Sequence, residues 1–184
     1  MKDTLKYLKS FFRDKDVASV TPTSRFCVEH VCRPIDFSRN QTIVEYGAGA
    51  GVFAEYLLKK LTAESRLIMF ETNEQLFGEL QKIDDTRVTC YNKSVEFVDE
   101  VIDDSLVGKV DCIISGIPFS FLDDELTNAI LKKSKQILRP VGQFLAYQTS
   151  DHLKEPLESI FGNVHTEWEW RNLPPMTIYK AVKE

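Results

Sequence analysis

Short apolar runs recur along the chain, separated by segments whose apolar positions repeat every three or four residues. Residues 42–46, 67–71, 88–91, 110–115 and 143–148 read as strands, with helices between them, among them 52–61. Near-continuous apolar strands alternating with helices predict a parallel sheet covered on both faces. Beyond residue 163 the period changes. Val164, Thr166, Trp168 and Trp170 alternate with His165, Glu167, Glu169 and Arg171, and 176–182 alternates again after Pro174 and Pro175. No helix fits between these runs, so they are expected to be antiparallel neighbours. The pattern predicts an α/β fold: a seven-stranded, mostly parallel sheet with a C-terminal antiparallel hairpin and helices on both faces.

The amino end has a different pattern. Leu5, Tyr7, Leu8, Phe11 and Phe12 fall on one side of a helix, and Lys2, Lys6, Lys9 and Arg13 on the other. This is a basic amphipathic helix over residues 1–16, followed by one domain over 17–184. Such a helix packs its stripe on a core or lies in a lipid interface with its lysines toward anionic head groups. Next, Pro22 breaks the chain, Thr23 or Ser24 can cap a helix near 25–32, and Pro34 ends that helix.

With 184 residues, 43% hydrophobic and 28% charged, the chain has the size and balance of one globular domain. Its net charge of −5 has the wrong sign for a protein whose main ligand is a polyanion. Between residues 94 and 125, Glu96, Asp99, Glu100, Asp103, Asp104, Asp111 and the acids at 123–125 face Lys109 as the single base. Nucleic acid is therefore not the expected partner. No apolar run approaches the roughly 20 residues that cross a bilayer, and no signal-type segment is present, so the expected location is cytoplasmic. Cys27, Cys32, Cys90 and Cys112 lack CxxC spacing and read as free thiols, and no metal site is expected.

The strongest local signal is the run Ile43-Val44-Glu45-Tyr46-Gly47-Ala48-Gly49-Ala50-Gly51, a buried strand entering a glycine-rich turn and then a helix. Glycines let the backbone turn tightly and approach a ligand that any Cβ would block. The next strand ends in Glu71, where a carboxylate can accept bonds from both hydroxyls of a ribose. Strand, turn, helix and acid together make a nucleoside half-site.

VEYGAGAG followed by FETNE resembles the first two motifs of class I S-adenosylmethionine-dependent methyltransferases, and the resemblance covers most of the chain. It implies a Rossmann-like methyltransferase fold with S-adenosyl-L-methionine as cofactor. It also implies cofactor contacts from Glu45, Tyr46, Gly47, Ala48, Gly49 and Gly51, from Glu71 and Thr72, and from Ser115 and Gly116. After the third strand the family usually has an acid near the adenine; here Asn92-Lys93-Ser94-Val95 stands in its place, so Ser94, Val95 or backbone groups substitute.

The fourth strand runs into Ser115-Gly116-Ile117-Pro118-Phe119, which is similar to the acceptor motif of amino-group methyltransferases, with Gly116 at the usual polar position. Together with TPTSR at 21–25, LRPVG at 138–142 and RNLPP at 171–175, it resembles bacterial phospholipid N-methyltransferases, relatives of ribosomal RNA adenine dimethylases. That resemblance implies an amine of a phospholipid head group, such as phosphatidylethanolamine, held near Ile117, Pro118 and Phe119, with Arg25 and Arg171 toward a lipid phosphate. Residues 1–15 become the expected contact with the inner membrane face. Tyr46 and Phe119 offer rings to a methylated ammonium. Tyr147, Asp151 and His152 after the fifth strand are candidates for the group that takes the amine proton. An RNA or small-molecule amine methyltransferase, and a non-catalytic nucleoside-binding module, remain alternatives. Oligomeric state is not legible.

Overall fold

The computed structural model describes residues 23–184. The amphipathic segment expected over 1–16 lies outside them. Ser24 caps the first helix, α1 (Arg25–Cys32), accepting the Cys27 N–H at its hydroxyl. Cys27, Val28, Val31 and Cys32 form the buried stripe of α1. The chain then builds β1 (Thr42–Tyr46), α2 (Val52–Leu58), β2 (Arg66–Phe70), α3 (Glu74–Leu80) and β3 (Val88–Tyr91). Only short helical turns and α4 (Val98–Val101) separate β3 from β4 (Val110–Ser115). There follow α5 (Asp124–Ile137), β5 (Leu138–Gln148), α6 (Lys154–Phe161), β6 (Val164–Glu169) and β7 (Met176–Val182).

The seven strands lie in the order β3-β2-β1-β4-β5-β7-β6. All neighbours are parallel except β7, which runs antiparallel to both β5 and β6. Strand order reverses direction at β1, and the crevice at the carboxyl ends of β1 and β4 is where open α/β sheets bind ligands.

Side chains alternate across a strand, so β1 feeds two cores. Ile43 packs with α1 and α2 among Cys27, Val31, Phe53 and Leu57. Val44 and Tyr46 pack on the opposite face with Ile130, Leu131, Phe144 and Leu157 of α5, β5 and α6. The four cysteines are free, and all but Cys90 are buried.

Several boundaries differ from the sequence pattern; β2 spans Arg66–Phe70 rather than 67–71, and β6 ends at Glu169 rather than Arg171. β5 begins at Leu138 rather than 143, and its pairing with β4 jumps from Val110↔Leu138 to Cys112↔Gln143. Pro140, a left-handed Val141 (φ 54°) and Gly142 occupy this irregular stretch, so a sequence that resembles a turn is threaded into the sheet as a bulge. Helix α2 stops at Leu58 rather than 61.

Charged side chains fasten α1 to β6. His30 bonds the carboxylates of Glu167 and Glu169, Arg33 joins Glu167, and Arg171 grips Glu169 with two parallel bonds of 2.8 and 2.7 Å. The His30 bond to Glu167 and the Arg171 bond to Glu169 hold the two carboxylic acids down at about 2. A folded-state value below the ordinary one stabilises the protein above the ordinary value, and that stability is lost as pH falls toward the folded value. The midpoint of urea unfolding should therefore decline between pH about 4.5 and about 2. Glu169→Gln should flatten that decline, and an equally steep profile in the variant would assign the acid sensitivity to other groups.

Candidate active site

The turn after β1 carries three left-handed glycines, Gly47 (φ 72°), Gly49 (φ 56°) and Gly51 (φ 80°). A Cβ on Gly47 would also sit 2.9 Å from the Ile117 side chain. The turn is stapled to the end of β2, because the N–H groups of Gly47 and Ala48 both donate to the Phe70 carbonyl, at 2.9 and 3.1 Å. Gly51 then starts α2 with no side chain to obstruct the approach.

Glu71 sits at the centre of this arrangement, only 3% exposed. One carboxylate oxygen accepts the Gly49 N–H and the other the Asn73 N–H, both at 2.8 Å. Burial pushes its pKa up, and those backbone N–H bonds pull against the shift. Asn92 holds the Glu71 carbonyl through its amide. The Thr72 N–H also acts on the carboxylate, and the acceptor capacity that remains can serve a ribose hydroxyl.

Glu45 points to the α1–α2 face of β1, alongside Cys32 and Tyr147. It is 2% exposed, and its Oε2 has no hydrogen-bond partner. Burial, with the nearby Glu71 carboxylate, pushes its pKa up to about 8. An orphaned buried carboxyl beside a second acid keeps its proton near neutral pH, and a cation bound against it would favour its ionised form. The pair therefore suits a positively charged ligand seated at the glycine turn.

A narrow cleft opens from Gly47 and Glu71 past Thr72, Ser94 and Val95 to Ile117 and Pro118, with Leu122 and Leu126 behind. Its walls are largely apolar, and Ser94 spends its hydroxyl capping the turn at 95–97. Burial against Val95 and Ile117 can therefore hold a flat base there without an acid. Elsewhere, a wider surface basin lies between α5 and α6, and its lysines Lys135 and Lys183 are tied to the carbonyls of Ile160 and Leu138.

The acceptor segment after β4 is clamped by Gln148 at the end of β5. The Gln148 Oε1 accepts the Phe119 N–H at 3.2 Å, and its Nε2 donates to the Ile117 carbonyl at 2.9 Å. Gln148 is buried, and sequence reasoning passed it over; a lone amide at the inner end of an apolar strand was the available signal. Gly116 also finds its reason here. A Cβ on it would lie 2.2 Å from the Tyr147 hydroxyl, whose ring stacks on Phe53 with centroids 5.0 Å apart. The Tyr147 phenol fills the space that a side chain at 116 would take. Ser115 is fully buried with its hydroxyl unpartnered.

Two expected rings face elsewhere. Tyr46 is fully buried on the α5 side and its hydroxyl bonds Ser134 at 3.0 Å, because strand alternation turns it away from Glu45. Phe119 is 3% exposed and packs into that same core. Neither offers a face to a methylated ammonium, and the expectation of cation–π contact is corrected. Of the residues considered for proton transfer, Tyr147 is half-buried, and desolvation of its phenol pushes its pKa up and leaves it a hydrogen-bond donor rather than a base. Asp151 and His152 are exposed in the turn after β5. Arg25 and Arg171 both lie over the Phe26 ring, at 4.9 and 4.6 Å, and Arg171 is already paired with Glu169.

The reversal of strand order at β1, the glycine turn and the acid at the end of β2 define a Rossmann-like nucleoside-binding fold. Residues 15–171 match the methyltransferase small domain family, and the chain belongs to that family. An ornithine lipid N-methyltransferase from Singulisphaera acidiphila is 25% identical over 190 residues, covering 100% of this chain and 99% of that protein. Among solved structures, a Burkholderia thailandensis 1,6-didemethyltoxoflavin-N1-methyltransferase with bound S-adenosylhomocysteine superposes with a TM-score of 0.73 at 16% identity, over 98% of this chain and 86% of that one. The magnesium protoporphyrin IX methyltransferase of Synechocystis, with bound S-adenosylmethionine, gives 0.64 at 14% identity, over 85% and 76%. The fold is thus the Rossmann-like methyltransferase fold, and the protein is a methyltransferase.

Proposed function

We propose that the protein is an S-adenosylmethionine-dependent N-methyltransferase whose acceptor is the amine of a polar lipid head group, such as phosphatidylethanolamine, at a membrane surface. The observation that carries the cofactor is the buried acid pair under the glycine turn: Glu71, held by backbone N–H groups at the end of β2 where a sugar would sit, and Glu45 with an oxygen lacking a partner. Glu45 and the turn from Gly47 to Gly51 would hold the cationic methionine end, Glu71 the ribose, and Thr72, Ser94, Val95 and Ile117 the adenine. Bound there, S-adenosylmethionine supplies a methyl group on a positively charged sulfur.

This chain's own residues position the amine. Gln148 fixes the Ile117–Phe119 backbone, Tyr147 closes the space beside Gly116, and Pro118 limits the conformations of the segment. Alignment of a neutral amine at near-contact distance accounts for most of the rate of such a transfer. The amine proton passes to solvent or to Asp151 or His152 at the same edge of the sheet.

Two observations support the lipid amine over a nucleic acid. One is the full-length similarity to an ornithine lipid N-methyltransferase. The other is the acidic flank at 94–125, which repels a phosphate backbone. On this reading the protein works from the cytoplasmic side, held peripherally in part by residues 1–15; no helix among the described residues is long and apolar enough to cross a membrane. Radiolabelled methyl transfer from S-adenosylmethionine tests the reading, with phosphatidylethanolamine, ornithine lipid and total RNA offered in parallel. Label should enter a lipid amine and leave RNA untouched. Label in RNA alone would overturn the lipid assignment, and label nowhere, with S-adenosylhomocysteine still bound, would indicate another acceptor.

A further inference from the structure

Trp168 and Trp170, the two tryptophans of the chain, stack on each other at 5.4 Å yet remain 54% and 70% exposed; Leu173 beside them is 74% exposed. Large apolar groups left together in water mark an interaction surface. Their place in the sheet is informative. β6 and β5 are each antiparallel to β7, so they run the same way, and the carboxyl end of β6 shares an edge with those of β1, β4 and β5. Trp168 is in register with Thr177, which in turn is in register with Gln148, the clamp of the acceptor segment. Three strand spacings separate β6 from β4, about 14 Å. The aromatic rim and the acceptor segment thus open toward the same side.

Near β6, Arg25 and Arg171 lie over Phe26, with Arg171 paired to Glu169. Asn172 accepts the Ser24 N–H at its side-chain oxygen, at 2.8 Å, so Ser24 lies beside the turn that carries Leu173. Residues 1–22 carry Lys2, Lys6, Lys9, Arg13 and Lys15 against Asp3, Asp14 and Asp16. Indole rings with an apolar body and a polar N–H fit the head-group layer of a bilayer, and the lysine-rich sequence before Thr23 suits an anionic one.

We propose that Trp168, Trp170 and Leu173 are the rim on which the domain seats on an anionic lipid bilayer, bringing the acceptor segment over the head groups. The proposal rests on the lipid-amine reading and names the face through which the substrate arrives. Because both tryptophans are in the rim, all indole fluorescence of the full chain reports from it. With vesicles of phosphatidylglycerol and phosphatidylethanolamine, the emission should shift to the blue and be quenched when the acyl chains are brominated. The double variant Trp168→Ala/Trp170→Ala should lose about tenfold in vesicle partitioning, read by sedimentation. Its calorimetric affinity for S-adenosylhomocysteine should stay at the wild-type value.

Failure to sediment with vesicles, or sedimentation without shift or quenching, would overturn the rim as the docking face. An unchanged partitioning of the double variant would do the same. Methyl transfer to phosphatidylethanolamine in detergent micelles is followed in parallel. Transfer that persists when quenching is absent sinks the rim and leaves the lipid-amine function. Quenching without transfer to any lipid amine retains the rim as a membrane contact and sinks the function. A blue shift caused only by an added protein, and not by vesicles, would give the surface to a protein partner and overturn the proposal.

Discussion

Glu71→Ala is expected to weaken S-adenosylhomocysteine binding by about a hundredfold in calorimetry. Hydrogen bonds to a charged group contribute about 1.5–3 kcal/mol each, and two sugar hydroxyls are at stake. The substitution also leaves the Gly49 and Asn73 N–H groups without their acceptor, which loosens the turn the ligand must meet. Glu71→Gln separates these effects. The amide keeps one oxygen for a backbone N–H but loses the charge and half of the acceptors, so its affinity should fall between those of the wild type and the alanine variant. Affinity unchanged in both variants would show that the sugar is held elsewhere and would remove the main support for the cofactor site.

The second large effect is expected at Gly116. Alanine there places a methyl group 2.2 Å from the Tyr147 hydroxyl and 2.7 Å from its ring carbon. Tyr147 cannot retreat easily, since Phe53 stacks on it from one side. Overpacking of this kind costs about 1–3 kcal/mol of stability. The displaced ring or strand end should also misalign Ile117 and Pro118, and positional errors of this kind reduce turnover by about a hundredfold. A double-mutant cycle with Tyr147→Ala gives the decisive comparison. If the clash is the cause, Gly116→Ala should add little once the phenol is gone. Additive losses in the double variant would mean that the glycine is required for another reason.

Much of the sheet was legible in the sequence because buried parallel strands are written as uninterrupted apolar runs. β1 and β4 begin and end where Thr42–Tyr46 and Val110–Ser115 change character, and the bounds of the edge strand β3 (Val88–Tyr91) and of the antiparallel β7 (Met176–Val182) were read as well. The start of β5 was hidden, since Pro140 and Gly142 have the chemistry of a turn, and only pairing to β4 and β7 shows that the strand absorbs them. The meeting of the glycine turn with Glu71 could be read from a local motif and the end of one strand. The reason for Gly116 could not, because it lies in Tyr147, a residue on a neighbouring strand. Nor could the clamp by Gln148, which joins two strand ends through space. The direction of the Tyr46 ring was available in principle: it follows Glu45 on the same strand and therefore faces the other side of the sheet.

β7 follows β6 in the chain but lies between β5 and β6. A growing polypeptide that has emitted residues 164–169 therefore has no docked partner for them until residues 176–182 arrive and pair on both flanks. Through that interval Trp168 sits on an unsatisfied strand with Trp170 just past its end, the kind of sticky intermediate that invites association between neighbouring nascent chains. Shortening the chain at residue 175 would make this interval permanent. The product should keep β1 to β4 able to form and yet precipitate through the orphaned β6.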